Sequence, residues 1–203
     1  MQIDGFQIYP GHLNREAQVA LVVLLRCLMA DNPLYVPQMP RSGKPMSVRM
    51  TNLGKLGWVS DKTGYRYQPH HPETTRPWPA IPEKLFELWE ILAQYPHPPE
   101  ACLVNYYTGR ARMGLHQDKD EVNLDAPVLS VSLGDSAVFR MGGNSRKDPT
   151  RSIKLHSGDV LVMGGNARMN FHGVDRILPA TSTLLDGGGR LNLTLRRVNM
   201  PER

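Results

Sequence analysis

The chain has 203 residues, 40% of them hydrophobic, which suits one well-packed domain and leaves too little for two full ones. Its 24 Lys and Arg against 19 Asp and Glu give a formal charge of +5, and the two cysteines, Cys27 and Cys102, exclude a disulfide framework and a paired-cysteine zinc site. The opening MQIDGFQIYPG carries an acid and no apolar core, unlike a signal peptide. The apolar run from Ala17 to Met29 is interrupted by Arg26 and falls short of the roughly 20 residues of a membrane span, so a cytoplasmic, reducing setting without membrane attachment is expected.

Asn14 stands as an N-cap before REAQVALVVLLRCLMA, and DNP closes that run. This predicts a mostly buried helix over about residues 15–30, with its leucines in the core. From Pro33 to Pro82, seven Lys and Arg (Arg41, Lys44, Arg49, Lys55, Lys62, Arg66, Arg76) meet only Asp61 and Glu73, so the whole excess of charge lies there. The segment also holds nine of the 17 prolines and the aromatics Tyr35, Trp58, Tyr65, Tyr67 and Trp78. Basic residues interleaved with exposed aromatics suit a polyanion whose bases can stack. A proline-stiffened connector that happens to be basic is the alternative. A second helix is expected from Pro82, with Leu85, Leu88, Trp89 and Leu92 at helical spacing until Pro96 ends it.

After residue 100 short runs rich in β-branched and aromatic residues alternate with Gly, Asp and Asn turns. Strands are expected near ACLVNYY, GLHQD, VLSVSLG, AVFRM, SIKL, DVLVMG, NFHGV and RLNLTLRRV. Eight short strands without long helices between them predict an antiparallel sandwich or jelly roll over residues 100–198, with the two helices packed outside. The expected class is α+β or mainly β, in a single domain spanning residues 1–203.

GLHQDKDE crowds Asp118, Asp120 and Glu121 beside His116. Alternate side chains of a strand share a face, so His116 and Asp118 point one way. His172, 54 residues after Asp118, is the best third donor, and two histidines with one carboxylate form the arrangement used for non-haem Fe(II). In RLNLTLR the same alternation puts Arg190, Asn192, Thr194 and Arg196 on one face and three leucines on the other. Two guanidinium groups inside a sandwich require a compensating anion, such as a small dicarboxylate, unless that face meets water. Asn105 and Tyr107 of ACLVNYY share a face and add donors for such a ligand.

In order and spacing, HQDKDE, APVLSVSLG, the distal His172 and RLNLTLR resemble the AlkB family of Fe(II)/2-oxoglutarate-dependent nucleic-acid dealkylases. MSVRMTNLGKLGW, GYRY and PWPAIP resemble that family's nucleotide-recognition region, so the likeness runs from about Met46 to Arg197. Met163 stands where the family pattern leads one to expect tryptophan.

The resemblance implies a double-stranded β-helix with a nucleotide-recognition lid over residues 33–82. It implies Fe(II) on His116, Asp118 and His172, with 2-oxoglutarate as co-substrate meeting Arg190 and Arg196, supported by Asn105, Tyr107 and Asn192, and O2 at the remaining position. The implied reaction is oxidative demethylation of N-alkylated bases such as 1-methyladenine and 3-methylcytosine in single-stranded or flipped-out DNA or RNA, releasing formaldehyde, succinate and CO2. Trp58 would stack on the base, Met50, Thr51 and Tyr65 would line the lid, and Arg146 would contact phosphate. Asp120 and Glu121 would attract the positive charge of a methylated ring, or else merely pair with Lys119 and nearby arginines. A monomer is expected. The triad and arginines equally fit a protein or small-molecule hydroxylase with the same iron centre, and a nucleic-acid-binding module with a structural zinc is the non-enzymatic alternative.

Overall fold

The computed structural model describes residues 1–201. Strands β1 (Gln2–Ile3) and β2 (Phe6–Tyr9) precede helix α1 (Arg15–Asp31), whose N-cap Asn14 accepts a hydrogen bond from the Ala17 N–H at 2.9 Å. Such a cap contributes about 1 kcal/mol. Strands β3 (Arg49–Gly54), β4 (Gly57–Asp61) and β5 (Gly64–Gln68) follow. Helix α2 (Glu83–Leu88) starts after Pro82 and widens into a π-helical turn over Trp89–Ala93, which ends where Gln94 turns left-handed at φ 51°. The remaining strands are β6 (Ala101–Tyr107), β7 (Met113–His116), β8 (Val128–Gly134), β9 (Ser136–Met141), β10 (Arg151–Leu155), β11 (Val160–Met163), β12 (His172–Leu178) and β13 (Arg190–Arg196). No described helix is long and apolar enough to cross a membrane.

The strands form a seven-stranded sheet in the order β1-β2-β11-β8-β13-β6-β3, a four-stranded sheet in the order β10-β9-β12-β7, and the separate hairpin β4-β5. All the pairings are antiparallel. This is the mainly-β, two-sheet architecture expected from the short strands. Period-two alternation gives the large sheet two apolar faces. Leu191, Leu193 and Leu195 join Val131, Val104 and Cys102 in a cluster with Leu21 and Leu25 of α1 and Leu85, Leu88 and Trp89 beyond β5. The opposite face contributes Phe6, Leu103, Tyr107, Val128 and Met163 to a second cluster with Phe139, Met141 and Val174 of the small sheet. Each fully buried side chain of this size contributes about 1.5–3 kcal/mol. Met163 is packed in this inner cluster, paired in register with Phe6 and Val128.

One expectation needs correction. Helix α1 is not mostly buried: Gln18, Leu21, Val22 and Leu25 face the core, whereas Val19, Val23 and Leu24 are exposed, because one sheet covers only one stripe of a helix. Within residues 33–82, β3 pairs residue by residue with β6 as an edge strand of the large sheet. Part of that segment's charge and aromatic surface is engaged within the chain. Arg66 pairs with Asp61 and Arg76 with Asp31, Arg49 lies over the Tyr106 ring, and Tyr35, Val59 and Trp78 form a small core of their own.

Candidate active site

The β7–β12 ladder sets His172 directly opposite His116, and their ring centroids lie 4.5 Å apart. Gly173 makes this approach possible, because a Cβ there would meet the Met113 carbonyl oxygen at 2.6 Å. Asp118 lies two residues past the end of β7 and brings Oδ1 to 3.6 Å from His116 Nε2 and Oδ2 to 3.8 Å from His172 Nε2. One donor atom from each of the three falls within a 4.8 Å cluster. In both histidines Nδ1 faces a backbone carbonyl, Gly114 at 2.9 Å and Asn170 at 3.0 Å, so the proton resides on Nδ1 and the Nε2 lone pair turns inward. Burial, reinforced by His116, pulls His172 down to about 4 and keeps it neutral. Burial alone would raise the Asp118 carboxyl, but Arg196 outweighs it and holds it well below the ordinary range. Asp118 and His172 are buried while 38% of the His116 side chain is exposed, so the cluster opens on that side.

The inner face of β13 runs beside it. Arg190 is aligned with Tyr107 and Gly134, Asn192 with Asn105 and Ser132, and Thr194 with Leu103 and Ser130. Arg190 Nη2 donates to Ser132 Oγ at 2.9 Å and Asn192 Oδ1 at 3.0 Å. Asn192 Oδ1 also accepts from Ser130, and its Nδ2 donates to Thr194, which fixes the amide that braces Arg190. Arg190 is 1% exposed, and burial lowers its guanidinium to about 10. Burial also pushes the Tyr107 phenol up to about 12, keeping it a donor near Arg190 and Asp118.

Six buried side-chain N and O atoms of the described residues make no aligned hydrogen bond, and five cluster here: Arg190 Nε and Nη1 and Asn105 Oδ1, together with Arg196 Nε and Asp118 Oδ2, which are held only in ion pairs. An unmatched buried polar group costs about 1–3 kcal/mol, more when charged, so the concentration marks a cradle for a polar, anionic ligand beside a metal. The donor set fits Fe(II) with a chelating dicarboxylate: two imidazoles and one carboxylate, with unmatched N–H groups for the anion. Arg196 Nη2 lies 2.9 Å from Asp118 Oδ2.

The remaining candidates divide. Met50 is buried on the inner face, opposite Asn105, and packs against the site. Thr51 points to the other side of the sheet, where its Oγ1 donates to the Asn32 carbonyl, so it does not line the lid. Trp58 is stacked on the exposed Tyr65 ring with centroids 5.4 Å apart, and its Nε1 donates to Asp120 Oδ2 at 2.8 Å. Glu121 is not a base contact: its buried carboxylate accepts from Tyr67 Oη at 2.5 Å and Arg168 Nη2 at 3.1 Å, with Arg196 Nε 3.2 Å away. Asp120, by contrast, stays exposed. Arg146 is also exposed, lying over the Phe171 ring next to His172.

Sequence reasoning missed Ser130, Ser132 and Arg168. The serines were detectable, because VLSVSLG alternates them onto one face as RLNLTLR does its polar residues. Arg168 carried no local signal. It is buried, and it donates to the carbonyls of Asp118 at 2.5 Å and Ala126 at 2.7 Å, holding the segment that bears Asp118 and Asp120.

Residues 5–196 match the family model for the 2OG-Fe(II) oxygenase superfamily. The chain is 56% identical over 195 residues to the alpha-ketoglutarate-dependent dioxygenase AlkB homolog of Caulobacter vibrioides, covering 96% of this chain and 88% of that protein. It is 44% identical over 108 residues to the DNA N(6)-methyladenine demethylase ALKBH1D of Arabidopsis thaliana, covering 48% of this chain and 24% of that one. Among solved structures, that of OsALKBH1 superimposes with a TM-score of 0.83 at 33% identity, over 97% of this chain and 98% of that chain.

Proposed function

The chain belongs to the 2OG-Fe(II) oxygenase superfamily, and from that premise we propose that it removes N-alkyl groups from nucleobases in single-stranded or flipped-out nucleic acid, with 1-methyladenine and 3-methylcytosine as substrates. Fe(II), 2-oxoglutarate and O2 supply the oxidation of the N-alkyl carbon, which leaves as formaldehyde alongside succinate and CO2. His116, Asp118 and His172 hold the metal. Arg190, fixed by Ser132 and Asn192, meets one carboxylate of 2-oxoglutarate through its unmatched N–H groups, with Tyr107 and Asn105 beside it. Arg196 orients the other end while neutralising Asp118.

The substrate reading rests on one observation: the Trp58–Asp120 hydrogen bond moors an aromatic platform two residues from the metal-ligand carboxylate. Trp58 and Tyr65 offer stacking to an unpaired base, and Asp120 offers an acceptor and negative charge to a cationic ring with an exocyclic amine. The β4–β5 hairpin within residues 33–82 serves as the lid. The relative named as a DNA demethylase supports nucleic acid as the substrate class. A protein or small-molecule hydroxylase would have no use for that platform.

The test is anaerobic reconstitution with Fe(II) and 2-oxoglutarate, admission of O2, and mass spectrometry of oligonucleotides carrying 1-methyladenine, 3-methylcytosine or N6-methyladenine. Loss of 14 Da with stoichiometric formaldehyde is expected from the cationic lesions. Succinate formation with every oligonucleotide left intact would overturn the substrate assignment.

A further inference from the structure

Tyr67, the last residue of GYRY, was given no role above, yet it faces Trp58 directly across the β4–β5 hairpin. Directly opposed residues of an antiparallel pair project from the same face. The hairpin therefore grips two consecutive acids with two neighbouring side chains, Trp58 on Asp120 and Tyr67 on Glu121. Beyond Glu121 the contacts continue inward. Arg196 Nε lies 3.2 Å from Glu121 Oε1, the atom that Tyr67 occupies, and Arg196 Nη2 lies 2.9 Å from Asp118 Oδ2. Arg196 Nε makes no aligned hydrogen bond, so on that edge the guanidinium is located by the Glu121 carboxylate, while Nη2 is held by Asp118. Its position thus depends on where Glu121 is held. Arg168 grips Glu121 Oε2 from the opposite side, leaving Tyr67 as the hairpin's hold on Oε1.

We propose that Tyr67 is a positioning residue: through Glu121 it sets the place of Arg196, so that the hairpin that takes the base also tunes the co-substrate site. The proposal rests on the assignment of Arg196 to 2-oxoglutarate made above. Removing the Tyr67 hydroxyl leaves Oε1 with only the misaligned Arg196 Nε, and the buried carboxylate then draws Arg196 toward itself and away from the co-substrate. Phenylalanine keeps the ring packing and deletes only that hydroxyl. Coupling of this kind is reciprocal, so a base seated on the hairpin and a bound 2-oxoglutarate would each alter the affinity for the other.

The experiment measures 2-oxoglutarate affinity calorimetrically in Mn(II)-loaded protein without oxygen or nucleic acid, for the parent, Tyr67→Phe, Glu121→Gln, the double variant and Arg196→Met. Tyr67→Phe is expected to bind 2-oxoglutarate about tenfold more weakly, equivalent to about 1.4 kcal/mol, with Mn(II) affinity changed much less. The double variant should lose no more than the worse single variant, because both act along one path. Parental 2-oxoglutarate affinity in Tyr67→Phe, or losses that add in the double variant, overturns the relay. Should Tyr67→Phe fail to fold, Glu121→Gln carries the test alone, and parental affinity there is equally fatal. If Arg196→Met itself binds like the parent, the assignment of Arg196 falls and takes the relay with it. Sensitivity to Arg196→Met together with indifference to Tyr67→Phe sinks the relay only.

Discussion

Trp58 Nε1 reaches across 62 residues of sequence to donate to Asp120 Oδ2 at 2.8 Å, tying the hairpin to the segment that follows the metal-ligand carboxylate. One carboxylate oxygen is thereby engaged, and the charge of the group stays beside the Trp58 ring. At roughly 4 Å a cationic ring gains between about 1 kcal/mol at the dielectric of water and about 4 kcal/mol at an effective dielectric of 20. Since Asp120 is exposed, the lower end applies, a selectivity of several-fold. Asp120→Asn is expected to slow repair of 1-methyladenine and 3-methylcytosine several-fold more than repair of the neutral 1-methylguanine and 3-methylthymine. Equal losses on matched oligonucleotides would refute the electrostatic role.

Trp58→Ala should weaken single-strand binding by about 1–3 kcal/mol, the worth of one stacked base. That loss should persist at high salt, whereas the contribution of free cations such as Arg41, Lys44 and Lys55 falls as salt rises. Fluorescence anisotropy over a salt series separates the two. A Trp58→Ala deficit that vanishes at high salt contradicts the stacking role.

His116→Ala, Asp118→Ala and His172→Ala should each abolish turnover and tight metal binding, checked by Co(II) absorption. Asp118→Ala should also lower the thermal midpoint of metal-free protein, because Arg196 loses its 2.9 Å partner in a buried setting. Full metal affinity in any one variant removes that residue from the ligand set.

Arg190→Met separates stability from function. Methionine fills similar space without a buried, half-satisfied charge, so ligand-free protein should gain about 1–2 kcal/mol, at roughly 2–4 °C per kcal/mol for a chain this long. The thermal stabilisation that 2-oxoglutarate gives the parent should disappear. A variant less stable than the parent, yet still stabilised by 2-oxoglutarate, speaks against the cradle.

Arg168→Met removes the donor to the Asp118 and Ala126 carbonyls and leaves Glu121 short of a partner. Breaking a buried ion pair of this kind costs about 3–5 kcal/mol, and metal affinity should fall with it. Arg168→Lys, which keeps the charge but not the fork, should recover only part of the thermal midpoint. Complete recovery by lysine would show that the carbonyl contacts are dispensable.

The local periods of the chain were enough to set out the eight strands after residue 100, though not β1 to β5, together with the Asn14 cap and the two faces of RLNLTLR, because period-two alternation and capping depend on neighbours within a few residues. That alternation separates the leucines from the arginines of β13, and both sets are buried because the strand lies in the middle of the large sheet. The same local logic could not tell that β3 would pair with β6, and therefore that Met50 faces inward and Thr51 outward, since a one-residue slip in register exchanges the two faces. Nor could it separate Asp120 from Glu121. Adjacent in sequence and alike in charge, they differ only in their distant partners: Trp58 alone for the exposed one, and Tyr67, Arg168 and Arg196 for the buried one. A carboxylate can be buried only where donors from other parts of the chain converge on it, and that convergence exists only once the sheets and the hairpin have packed together.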